Sequence, residues 1–193
     1  MTSKNILIEP DSWQAWFRLT LIFIICVIGC IGMWSIIIIM PSLQNEFNID
    51  RSSSTIPYIT TMIGFGLGNI VIGKFLDKFG IQKPIIFSFL FLMLCFYLSI
   101  FCYNVTLVSS IQFFLGFFSG VFFGPMMADV TNYFYKRRGI AVSIVASGQH
   151  FSGAAWPFLL KNIIENSDWR DAHLFIIILS SLILLPTFYF IFK

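Results

Sequence analysis

Hydrophobic positions fall in long, nearly unbroken runs along this chain, and polar positions gather between them. Six runs are bounded by charges, prolines and small polar clusters: 17–41, 54–76, 84–104, 107–134, 138–162 and 171–192. Each has about 20 residues or more, and at about 1.5 Å rise per residue a helix of that length spans a hydrocarbon core of roughly 30 Å. Period-two alternation is absent, which excludes a membrane barrel. Backbone polar groups in lipid must bond within their own segment, so the runs predict six transmembrane helices in an all-α integral membrane protein. Residues 1–18 read as a cytoplasmic arm and 17–193 as the helical bundle.

Composition agrees with the pattern. The chain is 58% hydrophobic and 11% charged, whereas soluble domains carry about 25% charged residues. The first run is too long for the apolar core of a leader and ends without a small-residue cleavage pattern, so it predicts a permanent anchor. Lys4, Arg18, Lys74, Lys78, Lys83, Lys136, Arg137, Arg138 and Lys193 fall on one side, against Arg51, Lys161 and Arg170 on the other. This imbalance places both termini in the cytoplasm, in an inner or plasma membrane. The net charge of +3 is then a topology signal and not a nucleic-acid footprint. Cys26 and Cys30 share a helix face and, like Cys95 and Cys102, read as small packing residues, with no disulfide and no metal. Trp13, Trp16 and Arg18 read as interfacial anchors.

Small residues mark where helices approach. The fourth helix carries Gly116, Gly120 and Gly124, a double GxxxG. The second carries Gly64, Gly66 and Gly68, and the fifth Ser143, Ser147, Gly148, Ser152, Gly153, Ala154 and Ala155. Such faces let helix backbones pack closely in lipid. The third and sixth helices, rich in Phe, Leu and Ile, are expected to face lipid.

Four polar features stand out. The turn between the second and third helices reads Gly73-Lys-Phe-Leu-Asp-Lys-Phe-Gly-Ile-Gln-Lys83. Its glycines permit a tight reversal, Asp77 caps or salt-bridges, and Lys74, Lys78 and Lys83 hold the turn at an anionic leaflet. Asp129 lies on the order of 10 Å inside the end of the fourth helix, at about 1.5 Å per residue. An acid at that depth needs a partner, and an ion pair with Arg137, Arg138 or a neighbouring loop is expected. Gln149 and His150 fall at the middle of the fifth helix, where polar groups face the bundle interior or a water-filled cavity. Each reads either as a cavity residue or as an interhelical hydrogen bond, and neighbours about 100° apart do not both face one cavity. Trp34, Ser35 and Asn69 are further cavity candidates.

The order Gly73, Asp77, Lys78, Gly80 resembles the major facilitator superfamily signature G-x-L-x-D-R-x-G-R-K in the same loop, with Phe75, Ile81 and Gln82 departing from it. The resemblance implies that Asp77 belongs to a cytoplasmic gate closing against a second half, with Asp129, Arg137 and Arg138 at the same end. Tyr133-Phe-Tyr-Lys-Arg-Arg-Gly-Ile-Ala141, followed by Ser147-Gly148 and Trp156-Pro157, is similar to the helix 4–5 region of monocarboxylate-porter-like members. Asp168-Trp169-Arg170 is similar to their G-W-R before the sixth helix, and Asp11-Ser-Trp-Gln-Ala-Trp16, more distantly, to D-G-G-W-G-W. The G-x-x-x-G-P-x-x-G-G pattern of drug–proton antiporters is absent from the fifth helix.

The resemblance implies secondary transport of a small solute by alternating access, with a monocarboxylate or other organic anion as the class. Those porters carry a lysine within helix one, and this chain has none there. Their fold has two six-helix halves, so this chain reads as an N-terminal half. The expected partners are the lipid bilayer, a small-molecule substrate and a second half: a missing C-terminal half, a separate chain or a second copy. A parallel homodimer and a non-transporting protein that keeps the fold are the alternatives. No nucleophile–base pair, metal cluster or phosphate-cradling loop is present, which predicts neither an enzyme nor a cofactor.

Overall fold

The computed structural model describes residues 9–192, so Lys4, Lys193 and the start of the N-terminal arm lie outside the described residues. Among those residues no strand occurs. The helices are α1 (Trp13–Gly29), α2 (Ile31–Phe47), α3 (Arg51–Phe79), α4 (Gln82–Ser99), α5 (Val105–Ser119), α6 (Gly124–Val130), α7 (Arg138–Asn166) and α8 (Trp169–Phe192), with a 3-10 turn at Gly120–Phe122. Five stretches are long and apolar enough to cross a membrane: Trp13–Phe47, Arg51–Phe79, Gln82–Ser99, Val105–Val130 and Trp169–Ile191. The 29-residue α7 matches α3 in length and is packed among the others, but its polar middle keeps it out of that set. The protein is an all-helical, multi-pass membrane bundle.

The helices start where short polar side chains take up free backbone N–H groups. Ser12 accepts from the Ala15 N–H at 3.3 Å, Asp50 from Ser53 at 3.1 Å and Asn104 from Leu107 at 2.8 Å, each a helix N-cap. α3 ends at Gly80, whose φ of 73° is a conformation that suits glycine. Gly73 lies well inside α3, which continues to Phe79, and not at an end of the turn as the sequence reading has it. The reversal needs only Gly80 and Ile81.

Two spans are interrupted, and the interruptions meet. Between α1 and α2 the Met33 N–H bonds to the Cys30 carbonyl at 3.1 Å, one residue short of the α-helical partner. The Gly29 carbonyl thus loses its helical donor, and the Ser119 hydroxyl donates to it at 2.9 Å. The fourth span breaks at the same level, at the 3-10 turn, and restarts at α6 with Pro125 in its first turn. The Gly124 N–H then donates to the Asn69 side-chain oxygen on α3 at 3.2 Å. Asn69 therefore caps a helix on another span.

α3 and α5 pack backbone to backbone. A Cβ added to Gly64 would meet the Phe113 carbonyl oxygen at 2.0 Å, at Gly68 that of Phe117 at 2.0 Å, and at Gly116 that of Thr61 at 2.1 Å. Gly120 faces the Asn69 and Phe65 backbone at 2.9 Å and Gly124 the Asn69 side chain. On α7, Gly148 lies against Cys26 and Gly153 against the Trp34 ring. The third predicted segment ends at Ser99, short of 104, because the following carbonyls of Ile100 and Cys102 turn out to accept from Arg170 at 3.0 Å each.

Candidate functional site

Three polar assemblies lie along the bundle, one at each end and one across its middle. At the end where α1 starts and α8 finishes, the Asp11 carboxylate accepts backbone N–H groups from Tyr135 (3.2 Å), Lys136 (2.9 Å) and Arg137 (3.2 Å). Asp11 itself has φ of 59°, and its N–H donates to the Tyr133 carbonyl at 3.1 Å. The Lys136 N–H above all, helped by the other two and by the Arg137 charge, holds the Asp11 carboxyl below the usual aspartate range. Two segments far apart in sequence, the arm before α1 and the loop before α7, are thereby joined.

Beneath this contact, Arg18 on α1 pairs with Asp129 on α6 at 3.4 Å, with both side chains mostly buried. Arg18 also donates to the Ile191 carbonyl on α8 at 3.1 Å and lies 4.4 Å from the Tyr133 ring centroid. The partner of Asp129 is thus Arg18, which the sequence reading gave to interfacial anchoring, and not Arg137 or Arg138. Arg137 instead stands 5.9 Å from the Trp16 ring, and Trp16 packs edge-on against Phe134 at 5.1 Å. Burial, with the Asp129 charge behind it, pushes the Tyr133 phenol above its usual range. Arg138 begins α7 and is exposed.

Asp77, Lys78 and Gly80 lie at the same end and are exposed. Among the described residues the Asp77 carboxylate, like that of Asp171, has neither a hydrogen bond nor a salt bridge, although Asp11, Asp50, Asp129 and Asp168 each have a partner. A carboxylate in the last turn of a helix also meets the negative end of the macrodipole. Among the described residues nothing binds it.

At the opposite end Arg170 uses all five of its donors. It bonds to Glu46 (2.6 and 3.0 Å), to Asp168 (2.9 Å) and to the Ile100 and Cys102 carbonyls (3.0 Å each), while Trp169 donates to Glu46 at 2.5 Å. The planar guanidinium matches a carboxylate fork and also caps the carbonyl end of α4. The fully buried His173 lies nearby, its Nδ1 2.5 Å from the Ser99 hydroxyl and its ring edge-on to Phe96 and Trp169. Sequence reasoning passed over His173; its spacing from Trp169, one helical turn, is the signal that could have found it.

In the middle, Gln149 and His150 part company. Gln149 is buried, its side-chain amide nitrogen 3.0 Å from the Met33 sulfur and its backbone carbonyl accepting from the Trp34 indole N–H at 2.9 Å. His150 is exposed. With Ser143, Ser147 and Ala154 it forms an exposed row along one face of α7, the spacing of a single helical stripe. Phe151 flanks the row and touches Phe23 of α1, ring centroids 6.0 Å apart. Ser35 is fully buried with an unpartnered hydroxyl. The Ser143 and Ser147 hydroxyls donate to the Gly139 and Ile144 carbonyls of their own helix at 2.9 and 2.7 Å, but an exposed imidazole near the middle of α7 is unfavourable against lipid. That face suits water or protein.

Known proteins resemble the chain along most of its length. A family model for the Major Facilitator Superfamily matches residues 22–193. An MFS-type transporter of Aspergillus fumigatus is 29% identical over 64% of this chain and 28% of its own length. An agnestins efflux protein of Paecilomyces divaricatus is 31% identical over 63% of this chain and 29% of its own. A riboflavin transporter of Saccharomyces cerevisiae is 23% identical over 76% and 29%. The chain spans about three tenths of the length of these relatives.

Proposed function

Because the chain belongs to the Major Facilitator Superfamily, we propose that it works as the N-terminal half of an alternating-access carrier whose solute pathway runs along the exposed face of α7. The observation that carries this reading is the polar, exposed row Ser143, Ser147 and His150, which runs from the second turn of α7 to near its middle. Gln149, Trp34 and Asn69 hold the wall from behind through the bonds described above. His150 and the hydroxyls touch the solute.

The unpartnered Asp77 is the contact offered to the second half, and the termini face the cytoplasm. The solute is a small organic molecule, with a monocarboxylate or other organic anion as the favoured class. This wall holds hydrogen-bonding groups and rings but no free cation, so an anion takes its countercharge from the second half. The names of relatives that move agnestins and riboflavin support an organic solute.

Thiol labelling tests the pathway. The four cysteines of this chain are all buried, so Ser147→Cys or His150→Cys supplies a reactive thiol whose labelling is read against the unsubstituted protein. A membrane-impermeant maleimide should modify both in vesicles, and saturating solute should slow the reaction. Failure of both to react would place the row against lipid or packed protein and remove the reading.

A further inference from the structure

α3 carries an unmet charge at each end. At one end stands the Asp77 carboxylate described above. At the other, the end of the bundle that holds Arg170, stands Arg51, the first residue of the helix. Arg51 is exposed, and among the described residues its guanidinium has no hydrogen bond, ion pair or ring contact. The two other cations at that end are engaged, Lys161 with Glu165 at 3.9 Å and Arg170 with Glu46 at 2.6 Å. Both charges oppose the helix they sit on, because the first turn holds the positive end of the macrodipole and the last turn the negative end. The neighbouring acid, Asp50, is used as the cap, accepting the Ser53 N–H at 3.1 Å. Water can surround either charge, but each still weakens α3 unless a countercharge arrives from outside.

Between these charges α3 is the least buried of the five apolar spans. One side packs backbone to backbone on α5 through Gly64 and Gly68. The other presents Ile56, Ile59, Ile63 and Ile70, all exposed. Steps of three, four and seven residues keep them on one helix face, and seven more residues reach Asp77. The chain spans about three tenths of the length of its relatives, so a second half is the occupant that fits this face. We propose, resting on the reading of the chain as one half of an alternating-access carrier, that α3 is a two-ended latch against that second half. Arg51 pairs with a carboxylate of the second half when the Arg170 end is closed. Asp77 pairs with a cation of the second half when its own end is closed. At about 1.5 Å per residue the two charges lie about 39 Å apart on one helix. A rocking that brings one to the second half therefore carries the other away, and the two pairs alternate.

Two measurements on the complete carrier test this. A photoreactive benzoylphenylalanine in place of Arg51 should cross-link to a peptide outside residues 1–193. The same group in place of Leu182, exposed on α8, should cross-link to lipid. Cross-links from position 51 only to lipid, or to a second copy of this chain, would overturn the proposal. Side-specific maleimide labelling of His150→Cys reads the latch itself. Arg51→Gln should raise the rate from the Arg170 side and lower it from the other by up to about five-fold, the range of one exposed ion pair. Asp77→Asn should do the reverse, and Lys161→Gln, which removes a cation already paired, should do neither. Shifts of the same sign for Arg51→Gln and Asp77→Asn, or no shift, would also overturn it. A position-51 cross-link to the second half, with a His150→Cys that reacts from neither side, would uphold the α3 contact and remove the solute pathway instead.

Discussion

Asp11 illustrates how one residue can join segments that are distant in sequence. Its carboxylate fills a ring of three N–H groups, so the charged form is favoured in the folded protein and its pKa is lowered. A lowered pKa stabilises the fold above the unfolded aspartate value of about 3.9, and that contribution is lost as pH falls through the lower folded value. Amide exchange at Tyr135, Lys136 and Arg137 should therefore be faster in Asp11→Ala than in wild type at neutral pH. The difference should vanish below the folded pKa, in the acid range under about 4. A pH-independent difference would assign the protection to packing. The sequence pointed to this aspartate through its likeness to a motif before the first helix. What it contacts was not legible, because the partners are backbone groups and carry no side-chain signal.

At the scale of elements, glycine positions divide into two kinds that look alike in sequence. Gly116→Ala drives a methyl into the Thr61 carbonyl region of α3. It should destabilise the bundle by about 1–3 kcal/mol, the usual range for overpacking. Gly66 has nothing within 4 Å of an added Cβ, so Gly66→Ala should instead stabilise by about 0.5–1 kcal/mol through helix propensity. Thermal unfolding in detergent separates the two, and equal effects would mean that α3 and α5 do not pack as described. The helical runs and the GxxxG spacing were legible because apolar length and small-residue period are local properties. The broken fourth span was harder to read. Its cause is shared between Gly120, Pro125 and Asn69 on another helix, and a window moved along one segment does not see that pairing. Arg18 was misread for the same reason, since an arginine near an interface looks like an anchor until Asp129 is placed beside it.

At the scale of the whole molecule, the first and last spans are joined at both ends. Arg18 reaches Asp129 and the Ile191 carbonyl, and Glu46 reaches Arg170. Removing Arg18 leaves the mostly buried Asp129 without its countercharge. Arg18→Leu should cost about 2–3 kcal/mol, below the 3–5 of a fully buried pair because some water reaches it. Arg18→Leu/Asp129→Leu should recover much of that loss, and thermal midpoints of the three variants measure it. A double variant no more stable than Arg18→Leu would show that the Ile191 and Tyr133 contacts matter more than the charge pair. These paired fastenings also have a mechanical consequence. Two antiparallel rods pinned at both tips can neither slide past one another nor swivel independently, so the first and last spans form one stiff unit.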